Sequence, residues 1–329
     1  MSIDVTLGID IGGTNTVLGL VDGQGKCLVE SSIPTGGERD AASPADDAAS
    51  FVARLAVKIR DMCAPLSEQC VIRGIGIGAP NANYYRGTVK DPPNLSWAGE
   101  TPLAALVRDQ FDLPVVITND ANAAALGEMR FGAARGMRDF IVITLGTGLG
   151  SGIVANGELI YGADGFAGEL GHTIVDPEGR RCACGKRGCL EAYASAPGIC
   201  RTVFELLCDM REDSEFRDIS YRELTAKQIT EAASRGDAVA LAAFEYTGRI
   251  LGMKLADSVA HTSPEAIIMC GGLAHARDLL FVPTKRSMEG HLLGLFRGKV
   301  KLLPTGLPEG NSAVLGAAAL SWTELLKTR

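Results

Sequence analysis

Aromatic residues are scarce in this sequence, at 5% of 329 positions, and no apolar run reaches the ~20 residues that a membrane helix needs. An excess of positive charge is also missing. Lys and Arg number 32 against 39 Asp and Glu, a formal net charge of −7. A broad nucleic-acid or anionic-membrane surface needs clustered cations, so neither partner is expected. The segment Ser2 to Asp10 lacks the basic start and longer apolar run of a signal peptide. The first strand begins almost at Met1, so no preceding DNA-binding domain is expected. Cysteines are nine, an odd number, and three of them crowd between Cys182 and Cys189. That distribution suits a metal site in a reducing compartment better than a disulfide framework. The expectation is a soluble, cytoplasmic α/β globule, long enough for two lobes with cores of Val, Ile, Leu and Ala.

The chain opens on apolar Val5 to Ile9, broken by Gly12-Gly13-Thr14, resumed at Val17 to Val21 and turned by Asp22-Gly23-Gln24-Gly25 into Lys26 to Ile33. Helical spacing covers roughly 44–62, and Val71 to Gly78 reads as a buried strand. Thr101-Pro102 predicts a helix start with an N-cap and a proline at the first position. Pro114 to Thr118 reads as a strand, and Asp120 as the cap of a helix to about Phe131. The opening pattern then recurs: Phe140 to Leu145, Gly146-Thr147-Gly148-Leu149-Gly150, Ser151 to Ala155, Asn156-Gly157, Glu158 to Tyr161. Two copies of one unit predict two similar lobes. Helices are expected at about 191–208, 225–235, 237–261 and 312–326, with a strand at Glu265 to Cys270. We expect a small lobe of residues 1–118, completed by 312–329, and a larger lobe of 119–311.

Three motifs carry chemistry. Asp10-Ile11-Gly12-Gly13-Thr14 follows a strand, and glycines there let backbone N–H groups converge on an anion. An acidic residue at the strand end can hold magnesium through water. Gly146-Thr147-Gly148 offers the same chemistry in the second unit, and two such turns suit a polyphosphate. Neither is a Walker A loop or a dinucleotide fingerprint, because no Gly-Lys-Ser/Thr follows and a strand succeeds the second turn. Asn119-Asp120 stands at a strand's end, where a carboxylate can serve as a helix cap or as a base that takes a hydroxyl proton. His172, Cys182, Cys184 and Cys189 supply one imidazole and three thiols, a closed shell for structural zinc. Glu169 and Glu191 flank that clip, and paired carboxylates beside an imidazole suit sugar hydroxyls, which both donate and accept.

With these residues the sequence resembles the ROK family of sugar kinases and repressors, within the actin-like ATPase superfamily. Asp10-Ile11-Gly12-Gly13-Thr14, Asn119-Asp120, Gly168-Glu169-Leu170-Gly171-His172 and Cys182-x-Cys184-Gly185-x-x-Gly188-Cys189-Leu190-Glu191 occur in the family's order. The resemblance implies a two-lobed, ribonuclease-H-like fold with its active site in the cleft between lobes. It implies ATP, Mg2+ and structural Zn2+, with Asp120 as catalytic base and Asn119, Glu169, His172 and Glu191 holding the sugar. Gly78 and Asn94 would line the sugar pocket. Asp10 would organise magnesium, and Gly12, Gly13, Thr14, Gly146, Thr147 and Gly148 would take the phosphates. Gly271-Gly272 would lie on the adenosine side, although Leu273 stands where the family has a third glycine. Gly76 to Asn81 and Pro93 to Trp97 look most like bacterial glucokinases, which implies glucose as substrate. N-acetylglucosamine, N-acetylmannosamine and fructose kinases of the family are the alternatives, as are a polyphosphate donor and a non-catalytic sugar sensor. Family likeness also suggests a homodimer, for which the helical segment 191–261 could supply the interface.

Overall fold

A computed structural model of the chain describes residues 2–36, 47–92 and 97–327. Asn94, and the start of the helix expected from 44, lie outside the described residues. β1 (Ile3–Ile11) and β2 (Asn15–Asp22), each buried over a continuous run, and the more exposed edge strand β3 (Cys27–Pro34) form an antiparallel meander. The Asp22 side chain accepts the N–H groups of Gln24 and Lys26, both at 2.9 Å, and so closes the second hairpin. α1 (Ala48–Cys63) starts where Asp47 accepts the Ser50 N–H, and it buries Phe51, Val52, Leu55 and Ile59. β4 (Cys70–Gly78) pairs parallel to β1. A small separate sheet comes next, of β5 (Ala82–Asn83), β6 (Thr88–Lys90) and β7 (Glu100–Thr101). Beyond it lie α2 (Leu103–Phe111), β8 (Val115–Thr118) parallel to β4, and α3 (Asp120–Phe131).

The second series is β9 (Phe140–Leu145), β10 (Leu149–Ala155), β11 (Glu158–Leu159), α4 (Ala196–Asp209), α5 (Ala226–Ser234), α6 (Ala238–Thr262), β12 (Ala266–Cys270), α7 (Asp278–His291) and β13 (Lys301–Pro304). α8 (Ser312–Lys327) closes the chain. The sheets have orders β3-β2-β1-β4-β8 and β11-β10-β9-β12-β13. In each, a central strand (β1 or β9) pairs antiparallel with the strand after it on one side and is extended on the other by two parallel strands. The repeat read from two Gly/Thr turns is therefore a repeat of a whole five-stranded sheet.

Contacts divide the chain into two compact units: Met1–Gly136, Leu159–Ala167 and Gly306–Arg329 in one, Met137–Glu158 and Gly168–Thr305 in the other. The first unit runs past the boundary expected at 118 because α3 packs on α8, where a Cβ on Gly127 would stand 3.0 Å from the Gly316 Cα. α8 also lies flush on the first sheet. A Cβ at Gly76 would collide with the Ala317 carbonyl, and one at Gly8 would stand 2.8 Å from the Ala318 N. The excursion 159–167 is pinned within the first unit by the Asn83 amide, which donates to the Asp164 carbonyl at 2.6 Å. Tyr161 stacks on Tyr84 there, with centroids 4.0 Å apart.

Three local expectations are corrected. Thr101 does not cap α2; it pairs with Val89 in the small sheet, and Pro102 stands at the cap without a side-chain bond. Asn119, not Asp120, caps α3. The helix expected from 191 begins at Ala196, because Leu190–Ala192 forms a single 3-10 turn and Ser195 caps α4 by accepting the Gly198 N–H. No helix among the described residues is long and apolar enough to cross a membrane.

Candidate functional site

In the first unit, strand register brings Asp10, Gly78 and Thr118 side by side at the C-terminal edge of the parallel strands. This is where α/β sheets hold their ligands. A Cβ on Gly78 would stand 3.5 Å from an Asp10 carboxylate oxygen and 3.8 Å from the Asp120 Cα, so Gly78 lies against both acidic residues. Asn119 accepts the Ala121 N–H at 2.8 Å, and Asp120 then occupies the first helical position. Burial, and then the Asp120 charge, raise Asp10 to about 7. Asp120 meets solvent on one side, yet the protein around its carboxyl raises its pKa as well. Beside them the first glycine turn closes with the Gly12 N–H donating to the Asn15 carbonyl at 3.0 Å, and leaves Gly13 and Thr14 exposed.

In the second unit the matching turn is tighter, with the Gly146 N–H donating to the Gly148 carbonyl at 3.0 Å, two residues on instead of three, and Thr147 exposed. Parallel pairing of β12 with β9 carries Gly271 to its base: φ is 88°, and a Cβ would stand 2.5 Å from the Leu145 carbonyl oxygen. Gly271-Gly272 and the second turn are thus neighbours. Glu191 also reaches this turn, accepting the Leu149 N–H at 3.0 Å.

The cysteine-rich segment folds back on itself through the bridges Ile174–Cys189 and Arg181–Arg187. The four ligand atoms of His172, Cys182, Cys184 and Cys189 lie within 4.8 Å of one another. The Cys184 and Cys189 sulfurs are 3.6 Å apart, and Cys182 Sγ is 3.8 Å from His172 Nδ1. Ligands of one tetrahedral zinc stand about 3.5–3.8 Å apart, so donor set and spacing fit that ion. Burial pushes the Cys182 thiol up to about 12, a cost that a cation among the three sulfurs would remove. His172 turns its other nitrogen outward, with Nε2 3.9 Å from Glu169 Oε2.

The sequence-predicted residues thus form two clusters. Asp10, the first turn, Gly78, Asn119 and Asp120 belong to the first unit; the second turn, Glu169, His172, the cysteines, Glu191 and Gly271-Gly272 belong to the second. One residue beside them escaped the sequence reading. Arg180 is 5% exposed and donates to the Ala192 and Gly198 carbonyls at 2.9 and 3.1 Å, fastening the clip to α4. Its only sequence signal is a place in a basic run, which ordinarily marks a solvated face.

The profile of the ROK family matches residues 6–324. A glucokinase of Halalkalibacterium halodurans is 36% identical over 291 residues, 87% of this chain and 86% of its own. The crystal structure of a ROK family glucokinase from Streptomyces griseus, in complex with glucose and AMPPNP, is 37% identical with a TM-score of 0.78. The match covers 96% of this chain and 98% of that one. A ROK family transcriptional regulator, a homologue of the E. coli MLC protein, superposes with a TM-score of 0.86 at 27% identity. That match covers 98% of this chain but 78% of the regulator.

Proposed function

Because the chain belongs to the ROK family and has the two-lobed actin-like fold of its sugar kinases, we propose that it transfers the γ-phosphoryl group of ATP to the 6-hydroxyl of D-glucose. The observation that carries this reading is 37% identity, over nearly the whole of both chains, to a glucokinase solved with glucose and AMPPNP.

A sugar hydroxyl is a poor nucleophile near neutral pH. Asp120 orients it and takes its proton as the new O–P bond forms and the bond to ADP breaks. A carboxylate with a raised pKa suits that duty, because its basicity lies closer to working pH. Asn119 keeps its amide group for the sugar while its oxygen caps α3. Glu169, His172 and Glu191 accept from and donate to the remaining hydroxyls, with Gly78 lining the pocket. The turns at Gly12-Gly13-Thr14 and Gly146-Thr147-Gly148 offer N–H groups to the phosphates, and Gly271-Gly272 flank the adenosine. Asp10 would hold magnesium, which when bound neutralises phosphate charge; a buried carboxyl beside a second acid fits a divalent cation. His172, Cys182, Cys184 and Cys189 would hold zinc, whose closed shell serves structure. The same reading includes a cytoplasmic homodimer acting in carbohydrate breakdown.

The test is ADP release with MgATP across glucose, N-acetylglucosamine, N-acetylmannosamine, fructose, mannose and allose. Turnover led by glucose is expected; another winner would overturn the substrate alone. The likeness to a transcriptional regulator favours one rival, a non-catalytic sugar sensor. Glucose binding by calorimetry with no turnover on any sugar would establish that rival instead.

A further inference from the structure

Glu191 is tied into the second glycine turn as well as facing the clip. Its Oε2 accepts the Leu149 N–H at 3.0 Å, and a Cβ on Gly148 would stand 2.5 Å from that same oxygen. A side chain at 148 would push that carboxylate off the turn, and the glycine leaves it room to close there. The chain after Glu191 then holds the turn at its other end. The Ser195 hydroxyl donates to the Glu191 carbonyl at 2.7 Å, and the Ala196 N–H donates to the Gly146 carbonyl at 2.9 Å. Residues 146 and 149 are therefore both bonded to the 191–196 segment.

That segment is itself held hard. It follows Cys189 after one residue, Leu190, whose N–H donates to the Thr173 carbonyl at 2.9 Å. Arg180 braces the other side: besides its two carbonyls it donates to Thr202 Oγ1 at 2.9 Å, and its guanidinium lies 4.5 Å from the Tyr193 ring centroid. A backbone turn meant to present N–H groups to an anion needs a fixed shape, since misplaced donors lose much of their effect.

We infer that Glu191 is a positioning residue for the nucleotide: through Leu149 and Gly148 it fixes the second glycine turn, so that the clip governs ATP affinity as well as sugar contact. This rests on the reading of that turn as phosphate-binding. A residue that served the sugar alone would leave nucleotide binding unchanged when altered.

The experiment is calorimetric titration of the full chain with MgAMPPNP in the absence of any sugar, with glucose KM measured separately. Glu191→Ala is expected to weaken AMPPNP about tenfold, the scale of one hydrogen bond to a charged group. Glu191→Gln, which keeps an acceptor for the Leu149 N–H, is expected to hold AMPPNP affinity within about threefold, a smaller loss than removal of the bond would give, while glucose KM rises in both variants. AMPPNP affinity within about twofold of wild type in a folded Glu191→Ala protein would overturn the inference and leave the kinase reading standing. Should that variant not fold, Gly148→Ala crowds the same oxygen, and its unchanged AMPPNP affinity would overturn the inference equally. Failure of the wild type to bind AMPPNP at all would remove the kinase reading and this inference together.

Discussion

Asn119 does the capping expected of Asp120, and the difference bears on chemistry. Asp120 shares the Ala121 N–H through one carboxylate oxygen, at 2.8 Å, while its second oxygen takes no part in the cap. Asp120→Asn should therefore leave the fold intact; melting within a few degrees of wild type and detectable glucose binding would show it. In the proposed role, kcat should fall about a thousandfold, within the usual range for a general base. Asp10 makes a separate, pH-linked prediction. Its native pKa of about 7 stands above the ordinary 3.8, so between those values the native state binds more protons than the unfolded one. Its contribution to stability thus falls as pH rises from about 4 to 7. Asp10→Asn should melt progressively higher than wild type as pH rises through that window; a difference that stayed flat with pH would contradict the assignment. At this scale the meeting of His172 with Cys182, Cys184 and Cys189 was legible, because the four sit at close spacing in the chain. The Arg180 anchor was not, because nothing among Arg180, Arg181, Lys186 and Arg187 says which one turns inward.

Among the elements, strands and most helices could be read from apolar spacing, and the failures share one cause: a tertiary contact outweighed a local signal. α7 was missed because Pro283 lies inside it. It is a helix nonetheless, packed on α6 where a Cβ at Gly248 would stand 2.7 Å from Pro283 Cγ. The small sheet took Thr101 away from α2, since two-residue strands leave no periodicity to read. Close helix-to-strand packing predicts that Gly76→Ala, forced against α8, destabilises by about 2 kcal/mol or more. Gly23→Ala, with nothing within 4 Å, is the neutral control; urea unfolding of the pair decides. For the clip, metal analysis of protein made without added zinc should find about one ion per chain, and chelation should lower the melting temperature. Well-folded, metal-free protein would remove the zinc reading.

On the scale of the whole molecule, duplicated sheets were visible from two Gly/Thr turns, because a turn that must stay open constrains sequence more than a packed strand does. The excursion of 159–167 into the first unit left no such trace, since a pairing like Asn83 with Asp164 depends on two distant segments meeting. The return of α8 to the first unit was legible only as an amphipathic helix in need of a core. It supplies Val314, Leu315, Ala318, Ala319 and Leu320 to that unit's interior. Deleting 312–329 should therefore unfold the first unit. Trp97, buried and 5.1 Å from Phe51, becomes the sole tryptophan of that variant and should shift its emission to the red. Unshifted emission would show that the sheet holds without its helix.

The Thr6 hydroxyl donates to the Ala318 carbonyl at 3.2 Å, across 312 positions of chain. Translation proceeds at roughly 5–20 residues per second, so about 15–60 s separate the synthesis of the two partners. Throughout that interval the glycine-lined face of β1 and β4 has no cover, while the second sheet's strands, of the same order and similar composition, emerge beside it. A nascent chain in this condition is a natural client for a ribosome-associated chaperone, and its yield should depend on how fast it is made.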